Sequence, residues 1–114
     1  VRSRKDHLID AQLLTLHRAI ADKLQLDKSL LDTADHLISQ RAKSGRLSRG
    51  NHIAWMSLIE QLRTTQNVAD ILLKDNEEMR RLLRVSPLGN LLTESEREQA
   101  FAHAAGAQRA DDIF

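Results

Sequence analysis

The chain has 114 residues, enough for one domain with a real core and too few for two. With 41% hydrophobic and 29% charged residues it is not a disordered chain, and the absence of cysteine excludes disulfides and thiolate metal sites. The formal charge of +1 singles out no partner, yet the charge is lopsided: residues 1–50 hold ten Lys/Arg against six Asp, residues 51–114 seven against ten acidic groups.

The only aromatic residues are Trp55, Phe101 and Phe114, so leucine, isoleucine and alanine must supply the core, a composition that favours helices. The first periodic stretch is Ile9, Leu13, Leu16, Ile20 and Leu24, one stripe of a helix over about residues 5–25, on the order of 30 Å long. Ser3 or Asp6 is its expected cap. Asp27 reads as the cap of a second helix whose face holds Leu30, Ala34, Leu37 and Arg41, with Leu31 and Ile38 beside it, and Gly45 as its terminator. Residues 44–50 form a loop between two glycines.

A third helix over 51–63 presents Trp55, Leu58, Ile59 and Leu62 as its buried stripe. Thr65 is the expected cap of a short fourth helix carrying Val68, Ile71 and Leu72, and Asp75 that of a fifth carrying Met79, Leu82 and Leu83. Ser86-Pro87 suits a cap followed by a first helical position. Thr93 and Glu96 have capping-box spacing for a last helix that Gly106 is expected to close. No stretch alternates as a strand would. The expected fold is all-α: a compact bundle of five or six helices over 1–85, followed by a C-terminal helical segment over 86–114.

Catalytic and cofactor motifs are missing. The serines have no nucleophile elbow, and Gly45, Gly50, Gly89 and Gly106 match no phosphate-loop spacing. Among five histidines no two are four apart; Asp32 with His36 is the nearest metal-like pair and has no third ligand nearby. No catalytic, cofactor or metal residue is therefore assigned. No apolar run approaches the roughly 20 residues of a membrane span, no signal segment is visible, and the cytoplasm is the expected location.

Two features point to partners. Arg41, Lys43, Arg46 and Arg49 form a basic stretch between the second and third helices, a candidate nucleic-acid contact in which 51–63 would act as recognition helix. Glu60 on that helix opposes this reading, because it would repel phosphate. Arg80 and Arg84 share a side of the fifth helix and suit a carboxylate from another segment, while Arg81 has helical pair spacing to Glu77 and Glu78. The second feature is the C-terminal segment. Pro87 and Gly89 break the chain, residues 93–114 hold five acidic groups against Arg97 and Arg109, and apolar residues punctuate it. Leu91, Leu92, Phe101, Asp111, Asp112, Ile113 and Phe114 are the expected partner-binding residues of an arm; the competing reading is that they complete the chain's own core.

The segment Leu82-Leu83-Arg84-Val85-Ser86-Pro87-Leu88-Gly89-Asn90-Leu91-Leu92-Thr93-Glu94-Ser95-Glu96-Arg97 resembles a type of small bacterial helical protein, in which a leucine–arginine helix is followed by Ser-Pro, a glycine and an acidic helix. The leucine-rich opening helix and the turn at Lys43, Gly45 and Arg46 are similar too. The resemblance implies an antitoxin-like or accessory component of a small operon; the Ser/Thr-x-x-x-Glu-Gly/Asn motif of antitoxins that silence adenylylating toxins is missing. The expected function is a non-catalytic protein-binding module, an antitoxin-like inhibitor or accessory subunit acting on a protein partner or a second copy. The alternative is a small dimeric DNA-binding regulator using the loop at 41–49.

Overall fold

The computed structural model describes residues 3–113, with side chains described as far as residue 106. It is an all-α bundle: α1 (Arg4–Leu26), α2 (Leu30–Lys43), α3 (Arg49–Thr64), α4 (Val68–Leu72), α5 (Glu77–Arg84), a 3-10 turn (Leu88–Leu91) and α6 (Glu94–Ile113). No strand occurs among the described residues.

Local side-chain chemistry sets where each helix starts. Ser3 caps α1 in a full box: its hydroxyl accepts from the Asp6 amide at 3.1 Å while Asp6 accepts from the Ser3 amide at 3.2 Å. Thr93 and Glu96 form the same reciprocal pair at α6, as their spacing suggests. Three other starts lie one or two residues beyond the expected caps. Asp27 accepts from the Ser29 amide and hydroxyl, so it builds the turn before α2 rather than capping it. Thr65 likewise accepts from Asn67, and Asn67 caps α4 through the Ala69 amide. Asn76 caps α5 by accepting from Met79 at 2.7 Å, leaving Asp75 to pair with Arg80. Short polar side chains bond backbone groups two residues on, and so shape the turn that precedes the helix.

Helix α1 is the mast. It packs against α4, α5, the 3-10 turn and α6, while α2 lies on α3 and the same 3-10 turn. Its expected stripe turns inward at Ile20 and Leu24, joined by His17 and Ala21. Trp55, Leu58, Ile59 and Leu62 are the buried face of α3, as their spacing requires. Trp55 is fully buried in one cluster with Ile20, and Leu16 and Leu37 pack against that cluster. Its indole Nε1 has no acceptor among the described residues, so packing alone holds the ring.

The segment after Ser86 differs most from expectation. Pro87 precedes a 3-10 turn rather than an α-helix, and that turn folds Leu88, Leu91 and Leu92 beneath α1 and α2. Leu91 and Leu92, expected to anchor a partner, are core side chains only 5% and 7% exposed. Helix α6 also continues through Gly106 instead of stopping there. One glycine costs a helix only about 1 kcal/mol, and the alanines, Gln108 and Arg109 around it are good helix formers.

Two outcomes follow from this packing. Trp55→Ala should lower unfolding free energy by about 3–5 kcal/mol in a urea titration, because no small residue fills the space of a buried indole. Deleting residues 86–114 should abolish cooperative melting, since it strips Leu88, Leu91 and Leu92 from the core; a truncated chain with the native thermal midpoint would contradict the packing described.

Candidate functional site

The basic stretch divides. Arg41 lies three residues beyond Ile38 on the buried face of α2, so its guanidinium turns inward and donates to the Ser86 carbonyl at 3.1 Å. It is no longer a loop cation and is removed from the candidate nucleic-acid set. Lys43, Arg46 and Arg49 are exposed. Lys43 is the last residue of α2 and Arg49 the first of α3, so the expected loop shrinks to residues 44–48 with Arg46 its only cation, and this link is fixed from three sides. Gly45 takes the left-handed φ of 77° that ends α2, Arg46 and Leu47 amides return to the Arg41 carbonyl, and the Leu47 side chain is buried. Ser48 then caps α3 through the Asn51 amide at 3.2 Å.

Ser86 sits where four segments meet. His17 is only 1% exposed, with Nδ1 2.7 Å from the Leu13 carbonyl and Nε2 2.7 Å from the Ser86 hydroxyl. A carbonyl only accepts, so Nδ1 carries the proton; Nε2 of the neutral ring then accepts from Ser86 Oγ–H. The same oxygen accepts from the Leu88 amide at 3.1 Å, and the Ser86 amide donates to Leu83. Serine and histidine at this distance are also the geometry of a nucleophile and its base. Here every polar atom of the serine is engaged and the imidazole is sealed from solvent, so the pair works as a clasp. Burial pushes the His17 pKa below its ordinary value, and the Leu13 bond opposes this more weakly. Sequence reasoning missed the pair, although position 17 completes the α1 stripe between Leu13 and Ile20.

A groove of about 550 Å³ runs between α1 and α6. Ala19, Leu26, Leu92, Ala100 and Ala104 give it apolar walls, and Arg18, Asp22, Gln99 and His103 edge it. Leu26 at the end of α1 is 90% exposed, and Phe101 on α6 is 39% exposed. The near end of α6 is anchored: Lys23 donates to Glu96 at 2.6 Å and to the Leu91 carbonyl at 2.8 Å, and Arg97 reaches the Gly89 carbonyl at 3.0 Å. Of the expected partner-binding residues, Leu92 therefore lines the groove from below, Leu91 is core, and Phe101 is half-exposed on α6 outside the groove's walls. Asp111, Asp112 and Ile113 belong to α6 beyond the described side chains, and Phe114 lies outside the described residues. Nothing in the sequence period flags Leu26, because it follows Leu24 on the opposite side of the stripe.

Other charged candidates are absorbed by pairing. Asp32 is held by Arg63 at 2.9 Å rather than joining His36, and no metal-holding cluster occurs among the described residues. Arg63 also reaches Asp35 and Glu60 at 3.7 and 3.5 Å. Arg84 takes carboxylates from another segment, Asp10 at 3.0 Å and Asp6 at 3.5 Å, and Arg80 takes Asp75 at 2.6 Å. No pairing of Arg81 with Glu77 or Glu78 occurs among the described residues. No described helix is long and apolar enough to cross a membrane. No family model, no curated protein and no solved structure matches the chain.

The clasp carries a pH dependence. The unfolded chain protonates its histidine near pH 6.5, and the folded chain protonates His17 only at lower pH. Between those values the unfolded state holds more protons, so stability rises with pH. Stability should be full above about pH 6.5 and decline below it. Glu96, lowered first by its bond from Lys23, and Asp6, lowered first by the Ser3 amide, add their own losses only as the pH falls further, through the carboxylate range. Urea titrations of the wild type and of His17→Gln from pH 7.5 to 5.5 check this: the wild type should weaken on acidification and the variant should show a flatter profile.

Proposed function

We propose that the chain is a non-catalytic protein-binding module, an antitoxin-like inhibitor or accessory subunit of the bacterial cytoplasm, and that it receives an amphipathic helix of its partner between α1 and α6. One observation carries this reading: Leu26, 90% exposed, lines a groove of about 550 Å³ in which Ala19, Leu92, Ala100 and Ala104 form an apolar strip between charged and polar side chains such as Arg18, Asp22, Lys23, Glu96, Gln99 and His103. Two helices with small side chains between them accept a third helix, whose large residues fill the hollow while its polar face meets the rim. Burial of Leu26 alone removes an apolar side chain from water, worth roughly 1.5–3 kcal/mol. Phe101, 39% exposed on α6 outside the groove's walls, offers a second apolar side chain to a partner that wraps that helix. The resemblance at residues 82–97 and the cysteine-free composition agree with this reading.

The double variant Leu26→Asp/Phe101→Asp tests it, because both side chains are exposed enough to change without unfolding the bundle. Tagged wild-type chain recovered from its own cells should retain a stoichiometric protein partner. The double variant, with an unchanged thermal midpoint, should bind that purified partner at least about tenfold more weakly, equivalent to 1.4 kcal/mol. Sedimentation of the chain alone shows whether the partner is a second copy. Equal affinity for wild type and variant would remove the α1–α6 surface from consideration.

A further inference from the structure

A second surface remains after the groove, and its chemistry is different. From residue 36 to residue 59 the chain has no carboxylate, yet it has Arg41, Lys43, Arg46 and Arg49. With Arg41 bound to the Ser86 carbonyl, Lys43, Arg46 and Arg49 are left exposed, and none has a hydrogen-bonding side-chain partner among the described residues. Four cations elsewhere in the bundle, Lys23, Arg63, Arg80 and Arg84, each hold at least one carboxylate.

Helix α3 adds an apolar residue to this patch. Its outer face reads Arg49, Ile53 and Ser57 at successive four-residue steps, all exposed, with Ile53 60% exposed. An isoleucine one turn beyond an arginine, on a helix whose opposite face is packed, has no role in the core. The acidic residue that opposed phosphate in the sequence reading lies two turns beyond Ile53, where Glu60 faces Arg63 at 3.5 Å beside Asp32 and Asp35. Asp32, Asp35 and Glu60 gather at the carboxyl-terminal end of α3 and Asp70 and Glu78 share a hollow with Ala54 and Ser57, while Arg49 at its amino-terminal end has no carboxylate partner among the described residues.

We propose that the 43–49 segment and the outer face of α3 from Arg49 to Ser57 form a contact surface for duplex DNA. Lys43 at the end of α2 and Arg46 on the link held by Gly45 and Leu47 grip phosphates, and that fixed backbone limits the ordering lost on binding. The first two turns of α3 enter the major groove, where Arg49 meets guanine O6 and N7 and Ile53 meets a thymine methyl. A-form RNA is a poor fit, since its major groove is too narrow for a helix.

Fluorescence anisotropy of the full chain with a labelled random-sequence duplex, titrated across salt, is the test. Two phosphate contacts, from Lys43 and Arg46, give a slope of log affinity against log salt of about −2. The triple variant Lys43→Ala/Arg46→Ala/Arg49→Ala, whose exposed side chains leave the thermal midpoint unchanged, should bind about tenfold or more weakly with a slope near zero. Bound wild type should lower dimethyl sulfate modification of guanine N7, which lies in the major groove. Absence of wild-type binding at low salt, an unchanged slope in the triple variant, undiminished N7 reactivity, or equal competition by poly-glutamate would each overturn the proposal. Leu26→Asp/Phe101→Asp should bind the duplex as the wild type does, which separates this surface from the α1–α6 groove.

Discussion

The bundle turns on the Ser86 hub. A serine hydroxyl that donates to a buried imidazole and accepts from the next turn's amide, while its carbonyl receives a guanidinium, joins α1, α2, α5 and the 3-10 turn at one residue. Buried polar groups raise stability only when each is satisfied, and an unsatisfied member costs about 1–3 kcal/mol. This cluster meets that condition at Ser86 and fixes one arrangement of the helices among the several that a leucine-rich core would tolerate. The direction of the chain after α5, and with it the position of α6, is a consequence. Leucine packing provides the adhesion; Ser86 provides the registry.

Charge is sorted around that frame. Arginines on α3 and α5 collect carboxylates from α1, α2 and the α4–α5 link, and Lys23 collects Glu96 at the root of α6. Most of these pairs are exposed enough that their contribution to stability is small; Arg84 with Asp10, whose side chain is 14% exposed, is the more buried one. The effect of the pairing is to leave the cations of the 43–49 segment without local competition. The apolar groove and the positive segment consequently rest on different elements, α1 with α6 and α2 with α3.

Most of the fold was legible in the sequence because the 3.6-residue period is strong in α1, α3 and α5, where Ile20, Leu58, Ile59, Leu82 and Leu83 all point inward as their spacing requires. Helix starts were less legible, since Asp27, Thr65 and Asp75 have the chemistry of caps and are used in turns instead. The site was harder still. Arg41 has the composition of a loop cation but the spacing of a core-facing residue, and spacing won. Leu91 and Leu92 resembled anchors of a free arm because a 3-10 turn has no long periodic signature; only three-dimensional packing reveals that they lie under α1. Leu26 and Ile53 owe their interest to exposure, a property of the folded surface that no single residue letter encodes.

The position of Ser86 also orders events in time. Helices α2 and α3 are neighbours in sequence and pack on each other, so they close a short loop and can associate early. Helix α1 has no comparable local partner: its stripe is covered by α4, α5, the 3-10 turn and α6, all from residue 68 onward. During synthesis His17 therefore leaves the ribosome well before its serine, which lies 69 positions further along the chain. At roughly 5–20 residues per second, the first helix waits several seconds with its apolar stripe uncovered. Over that interval the nascent chain is a substrate for chaperones, and α1 is the segment they would hold.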